Sequence, residues 1–164
     1  MPDPEITNRQ LSAFKRFTKL LPQGKELDLV ILKSHLMIEE QLNLLIDERL
    51  KNPSTLDDTK FETSHRISLA EALFPPDFQP WLWDGIRKLN SLRNRIAHNI
   101  EPKDINDKID DLIQSFRGDI KNWDTDRQSR LEFTLWSMFD AVAELVESQK
   151  APIVELVPRD LTPL

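Results

Sequence analysis

Apolar residues recur every three or four positions along most of this chain, broken by proline and glycine, which is the pattern of amphipathic helices joined by short loops. Only three glycines occur in 164 residues, and no strand-like alternation precedes the C-terminal stretch. Three capping-box patterns mark helix starts, because a Thr side chain and a Gln or Glu three residues later satisfy free backbone donors: Thr7 with Gln10, Thr59 with Glu62, and Thr125 with Gln128. The pattern predicts helices near 7–20, 25–51, 60–73, 78–98, 103–117 and 126–149. Pro22 and Gly24 end the first, Asn52 and Pro53 the second, Pro75 and Pro76 the third, and Gly118 closes the fifth as a left-handed stop.

The second helix is apolar on two sides. Leu27, Ile31, Ile38, Leu42 and Leu45 share one face and Leu32, Leu36, Ile46 and Leu50 another, so it should be central. The sixth buries Leu131, Leu135, Met138, Val142 and Leu145. Short connections then predict an all-α, up-and-down bundle of five to six helices, as one domain over 1–150. Residues 151–164 form a Pro-punctuated tail, read either as disordered or as an arm that docks on a partner.

Composition narrows the class. Hydrophobic residues at 39% and charged residues at 30% suit a globular domain, and no apolar run reaches the roughly 20 residues that cross a bilayer. The acidic start lacks the basic and apolar regions of a secretory signal, so a cytoplasmic protein with no membrane association is expected. The chain has no cysteine, which excludes disulfides, thiolate metal sites and a thiol nucleophile. A net charge of −6 argues against broad adhesion to nucleic acid. Yet Arg87, Lys88, Arg93 and Arg95 lie between Gly85 and Ile100 with no acidic residue among them, and such an island suits either an anion-contacting site or a solvated helix face.

On the fourth helix Leu82, Ile86, Leu89, Ile96 and Ile100 fall on one stripe, and Arg93 projects from its middle. Arg87 and Arg95 project from the opposite side. A guanidinium on an apolar stripe needs a buried carboxylate or an opening to solvent, since an isolated buried charge costs several kcal/mol. On the second helix His35 and Glu39, spaced i, i+4, breach an apolar face in the same way. Glu39 is the candidate counter-charge for Arg93, as a supporting group of a site or as a device that fixes helix register; His35 is a supporting group or a satisfied core histidine. His98 stands near the last turn, as a titrating group or a cap. In a regular helix Arg93 and His98 diverge by about 140°, whereas Asn94 and His98 share a face, so Arg93 and His98 can work together only if the helix unwinds or a second copy contributes.

Arg, a polar residue, three more residues, then His at a helix end of an all-helical domain resembles the signature of the HEPN superfamily. The stretch Leu89-Asn90-Ser91-Leu92-Arg93-Asn94-Arg95-Ile96-Ala97-His98-Asn99 carries the likeness, with the upstream helix that bears His35 and Glu39, and it spans about residues 25 to 147. The resemblance implies a bundle that dimerises so that two motifs face one cleft, and a metal-independent endoribonuclease of toxin–antitoxin or phage-defence type. It implies His98 as general base on a ribose 2′-hydroxyl and the second protomer's His98 as acid. Arg93 would stabilise the phosphorane, Asn94 would orient phosphate or imidazole, and Arg87, Lys88 and Arg95 would contact RNA. An antitoxin or defence-system protein is the implied partner. Toxins of this superfamily that are silenced by nucleotidylation carry a tyrosine two residues after the motif histidine. Here that position is Ile100 and the chain has no Tyr, so that control is not expected.

Two other classes remain open: a noncatalytic regulator that binds RNA or protein, and a helical adaptor in which Arg93 and Glu39 only set register. Three scattered histidines without clustered carboxylates predict no metal, and the scarcity of glycine predicts no nucleotide cofactor.

Overall fold

The computed structural model describes residues 8–22, 24–116, 118, 120 and 123–150, and among these it is all-α. The helices are α1 (Asn8–Leu20), α2 (Leu27–Arg49), α3 (Thr63–Ala72), α4 (Pro80–His98), α5 (Ile105–Ser115) and α6 (Arg127–Lys150), with a 3₁₀ turn at Pro53–Leu56 after α2. Thr7 and the tail 151–164 lie outside the described residues. No helix among them is long and apolar enough to cross a membrane.

The predicted boundaries hold to within about three residues, but the caps differ. α6 begins on Asp126, whose carboxylate accepts from the Ser129 backbone N–H at 2.8 Å and the Ser129 hydroxyl at 3.0 Å. Thr125 is therefore not the cap, because a carboxylate one residue on satisfies the same donors and suits the positive helix end. α3 likewise starts from Glu62 rather than Thr59, and the Glu62 backbone N–H donates to His65 Nδ1 at 3.3 Å. α5 stops at Ser115, where Phe116 turns extended before Gly118 is reached.

α2 is central: it packs along α6 most extensively and also against α3 and α4. Its buried arc holds Val30, Ile31, Ile38, Leu42, Leu45 and Ile46, which join Leu82, Ile86 and Leu89 of α4 and the five predicted residues of α6 in one continuous core. The second predicted face of α2 is only partly covered. Ile46 is buried and Leu32 and Leu50 are half-buried, but Leu36 is 57% exposed, because it lies on the far side of the helix from α6. Ser34, on the buried arc, donates to the Val30 carbonyl at 2.7 Å, a bond that lets a hydroxyl sit inside a helix interface.

Two features set the start of α4. Pro80 occupies its first position, where a missing N–H costs nothing, and Trp83 Nε1 donates to the Phe78 carbonyl at 2.8 Å, tying the preceding loop to the helix. Phe74 stacks on Phe78 at 4.8 Å, and the Arg49 guanidinium covers the Phe74 ring at 4.8 Å. α5 packs beside α4 and supplies acids to it.

Candidate functional site

The basic residues of α4 do not form an open cationic patch. Arg87 is ion-paired with Glu71 of α3. Lys88 Nζ lies 3.0 Å from Asp84 and 3.1 Å from Asp111 of α5. Burial works against its ammonium, but bonds to Asp84 and Asp111 outweigh that cost and raise its pKa. Arg95 Nε donates to Asp104 at 2.7 Å. Exposed pairs of this kind contribute roughly 0–1 kcal/mol of stability each, but they cancel the local charge that the sequence shows as an island.

Arg93 is the exception. It is half-buried, has no carboxylate partner among the described residues, and donates through Nη1 to Asn94 Oδ1 at 2.9 Å. The expected Arg93–Glu39 pair is not formed. Glu39 instead accepts from the Thr63 hydroxyl at 2.7 Å, because the first residue of α3 reaches it and Arg93 has the alternative of opening to solvent.

His35 is buried at 4% exposure, and its Nε2 lies 3.1 Å from Asn90 Oδ1. Burial pushes its pKa below the ordinary value; the bond to Asn90 and the charge of Glu39 act the other way, and Arg93 adds to the depression. His35, Glu39, Asn90 and Arg93 thus share one electrostatic neighbourhood where α2 meets α4. In the tautomer that carries its proton on Nε2, His35 donates to Asn90 Oδ1. Nδ1, buried and unbonded, is then a bare lone pair, and protonating it would bury a donor with nothing to meet it.

α4 stays helical to His98, and Asn99 turns extended at φ −133° and ψ 128°, with its side-chain amide on the Arg95 carbonyl at 2.9 Å. His98 is exposed on the final helical residue. The helix therefore does not unwind, and the divergence of Arg93 from His98 remains: one chain does not bring the two onto a common face. Asn94 and His98, four residues apart, do share a face. Past the helix Ile100 is fully exposed and Ile96 is half-buried, so the predicted apolar stripe outruns the core that covers it.

One feature was absent from the sequence expectations. An open cleft of about 350 Å³ lies between α3 and α4, lined by Ser64, Ile67 and Ser68 on one side and Arg87, Asn90, Ser91 and Asn94 on the other. Asn90 and Asn94 sit on successive turns, and Ser64 and Ser68 repeat at the same i, i+4 spacing opposite them, a pattern of small polar residues that could have been read as a polar groove. The cleft ends one turn short of His98. Among the described residues no group of three His, Asp or Glu side chains is placed to hold a metal ion. Comparison with protein-family models, with curated proteins and with solved structures finds no match.

Proposed function

We propose that the chain is a metal-independent endoribonuclease, a toxin or phage-defence effector of HEPN type, that cleaves RNA at a site shared by two copies. The observation that carries this reading is Arg93. On a helix where each neighbouring cation is matched to a carboxylate, Arg93 alone has no carboxylate partner among the described residues and donates to Asn94, beside the helix end that presents His98 to solvent. A guanidinium left unmatched at the cost of partial desolvation suits an anion that arrives later, and its planar donors fit phosphate oxygens.

In the proposed reaction His98 of one copy takes the proton of a ribose 2′-hydroxyl. The oxygen attacks the adjacent phosphorus, Arg93 stabilises the charge on the phosphorane oxygens, and the partner copy's histidine protonates the departing 5′-oxygen. The products are a 2′,3′-cyclic phosphate and a 5′-hydroxyl, and the proton count balances. The second copy also answers the geometry, since Arg93 and His98 of one helix face apart. The adaptor alternative loses its register device, because Arg93 and Glu39 do not pair.

The test is induced expression of wild type and His98→Ala followed by sequencing of cellular RNA ends. One positioned acid or base supplies about 10²- to 10⁴-fold, so His98→Ala is expected to lose cleavage by at least about 10²-fold, while its exposed side chain leaves the melting temperature unchanged. Identical RNA ends and no growth effect with either protein would overturn the proposal.

A further inference from the structure

The asparagines of the cleft have fixed orientations. Asn90 turns its carbonyl oxygen to His35 Nε2 and Asn94 turns its own to Arg93 Nη1, so each has its NH₂ group, a donor, free for a ligand. The Arg93 guanidinium can only donate and so fixes the Asn94 amide, while the Asn90 amide is set by its contact with His35 Nε2. Ser91 lies between them along α4 with a hydroxyl that bonds to no protein group among the described residues, and Ser64 and Ser68 are in the same state across the cleft. The Arg87 charge at the rim is taken by Glu71, so a free anion gains little there. A neutral, flat ligand with acceptors at both ends of one edge and a donor between them fits what is offered.

The geometry points to a base-recognition subsite that selects uracil. Of the four RNA bases only uracil presents acceptor, donor, acceptor on its pairing edge, as O2, N3–H and O4, to meet the amide donors of Asn90 and Asn94 with the Ser91 hydroxyl, which donates or accepts, opposite N3. Cytosine replaces one acceptor by an amino group, which would set donor against donor. Guanine and adenine each mismatch at least one position. A volume of about 350 Å³ is at the small end for ligand sites, and single-stranded RNA is read by just such edge contacts. The inference rests on the ribonuclease reading for its biological ligand: the cleft ends one turn before His98, on the face that Asn94 and His98 share, so the bound base would place its own ribose and phosphate toward His98.

The test separates recognition from cleavage. Full-length His98→Ala protein is titrated with uridine 3′-monophosphate and with cytidine 3′-monophosphate, followed by backbone amide NMR. Uridine is expected to bind about tenfold more tightly, the cost of leaving one donor facing another, with shifts centred on Ser64, Ser68, Asn90 and Ser91. Asn90→Leu should bring the two affinities together. Ser68→Trp, at an exposed α3 position, should fill the cleft and abolish both without disturbing the fold, which keeps the test decisive if Asn90→Leu fails to fold. Equal affinities, or shifts elsewhere on the protein, overturn the inference. Wild-type protein that cuts RNA without base preference would overturn it while leaving the nuclease reading intact, and uridine selection in the cleft of a protein that never cuts would do the reverse.

Discussion

His35 shows how burial can hold a titratable residue in one protonation state. It holds Asn90 by a bond of 3.1 Å while its other ring nitrogen stays buried and unbonded, an arrangement that tolerates only the neutral imidazole. Its pKa is lowered, first by burial, so below the ordinary value of 6.5 the unfolded chain takes up a proton that the folded chain refuses. The unfolded state then binds more protons, and stability falls as pH falls. The stability present above 6.5 should decline as pH drops from there toward the depressed value. His35→Gln keeps a donor for Asn90 and removes the titration, so thermal melts at pH 7.5 and pH 5 should differ less for the variant than for wild type. Equal losses in both would mean that His35 is not the group that titrates. Asp126 also has a lowered pKa, from its bonds to Ser129, but its effect is lost only below the ordinary carboxylate range and does not blur this window.

At the scale of elements, helix packing makes a sharper statement about Gly85 than propensity alone. A Cβ built there would meet Met138 Sδ at 3.3 Å and Cε at 3.5 Å, with the Ser115 Cβ at 3.8 Å. Glycine inside a helix costs about 1 kcal/mol relative to alanine, and the atoms in the way belong to the end of a flexible, adaptable thioether. Gly85→Ala is therefore expected to stabilise by somewhat under about 1 kcal/mol after Met138 shifts, measured as a higher denaturant midpoint with unchanged slope; a lower midpoint would mean that Met138 is locked. The same scale explains what the sequence could convey. Helix number, order and the central place of α2 follow from the spacing of Leu27, Ile31, Ile38, Leu42 and Leu45 and from proline positions, because both are local or periodic signals. The caps at Asp126 and Glu62 were hidden by a template that looks for Ser or Thr first. The exposure of Leu36 and Ile100 was hidden because periodicity says which way a side chain points, not how far the neighbouring helix extends. Arg93, Asn94 and His98 were legible as a string; the pairing of Glu71, Asp104 and Asp111 with its neighbours, and of Asn90 with His35, was not, since these groups come from separate elements that only the fold brings together.

For the whole molecule, neutralisation of the basic island shifts the weight of recognition. An acidic chain whose α4 cations are mostly spent on internal pairs gains little from counterion release, so the proposed enzyme must find its cut site through a few directed contacts and through a second copy. The exposed apolar residues agree with an unfilled need for a partner: Leu29 and Leu36 stand two turns apart on the open side of α2, and Ile100 is bare just beyond the proposed catalytic helix end. A site that needs one histidine as base and the other copy's histidine as acid has a quantitative signature. When wild type is co-expressed with a threefold excess of His98→Ala chains, random pairing leaves about one wild-type chain in four with a wild-type partner, so cleavage per wild-type chain should fall to about a quarter of its value alone. A site complete within one chain predicts no change, because each wild-type copy would cut regardless of its neighbour. The measurement counts RNA ends against the amount of wild-type chain. Full retained activity at that excess, with mixed dimers demonstrated by differential tagging, would exclude the second copy's histidine as the acid and overturn the two-histidine mechanism.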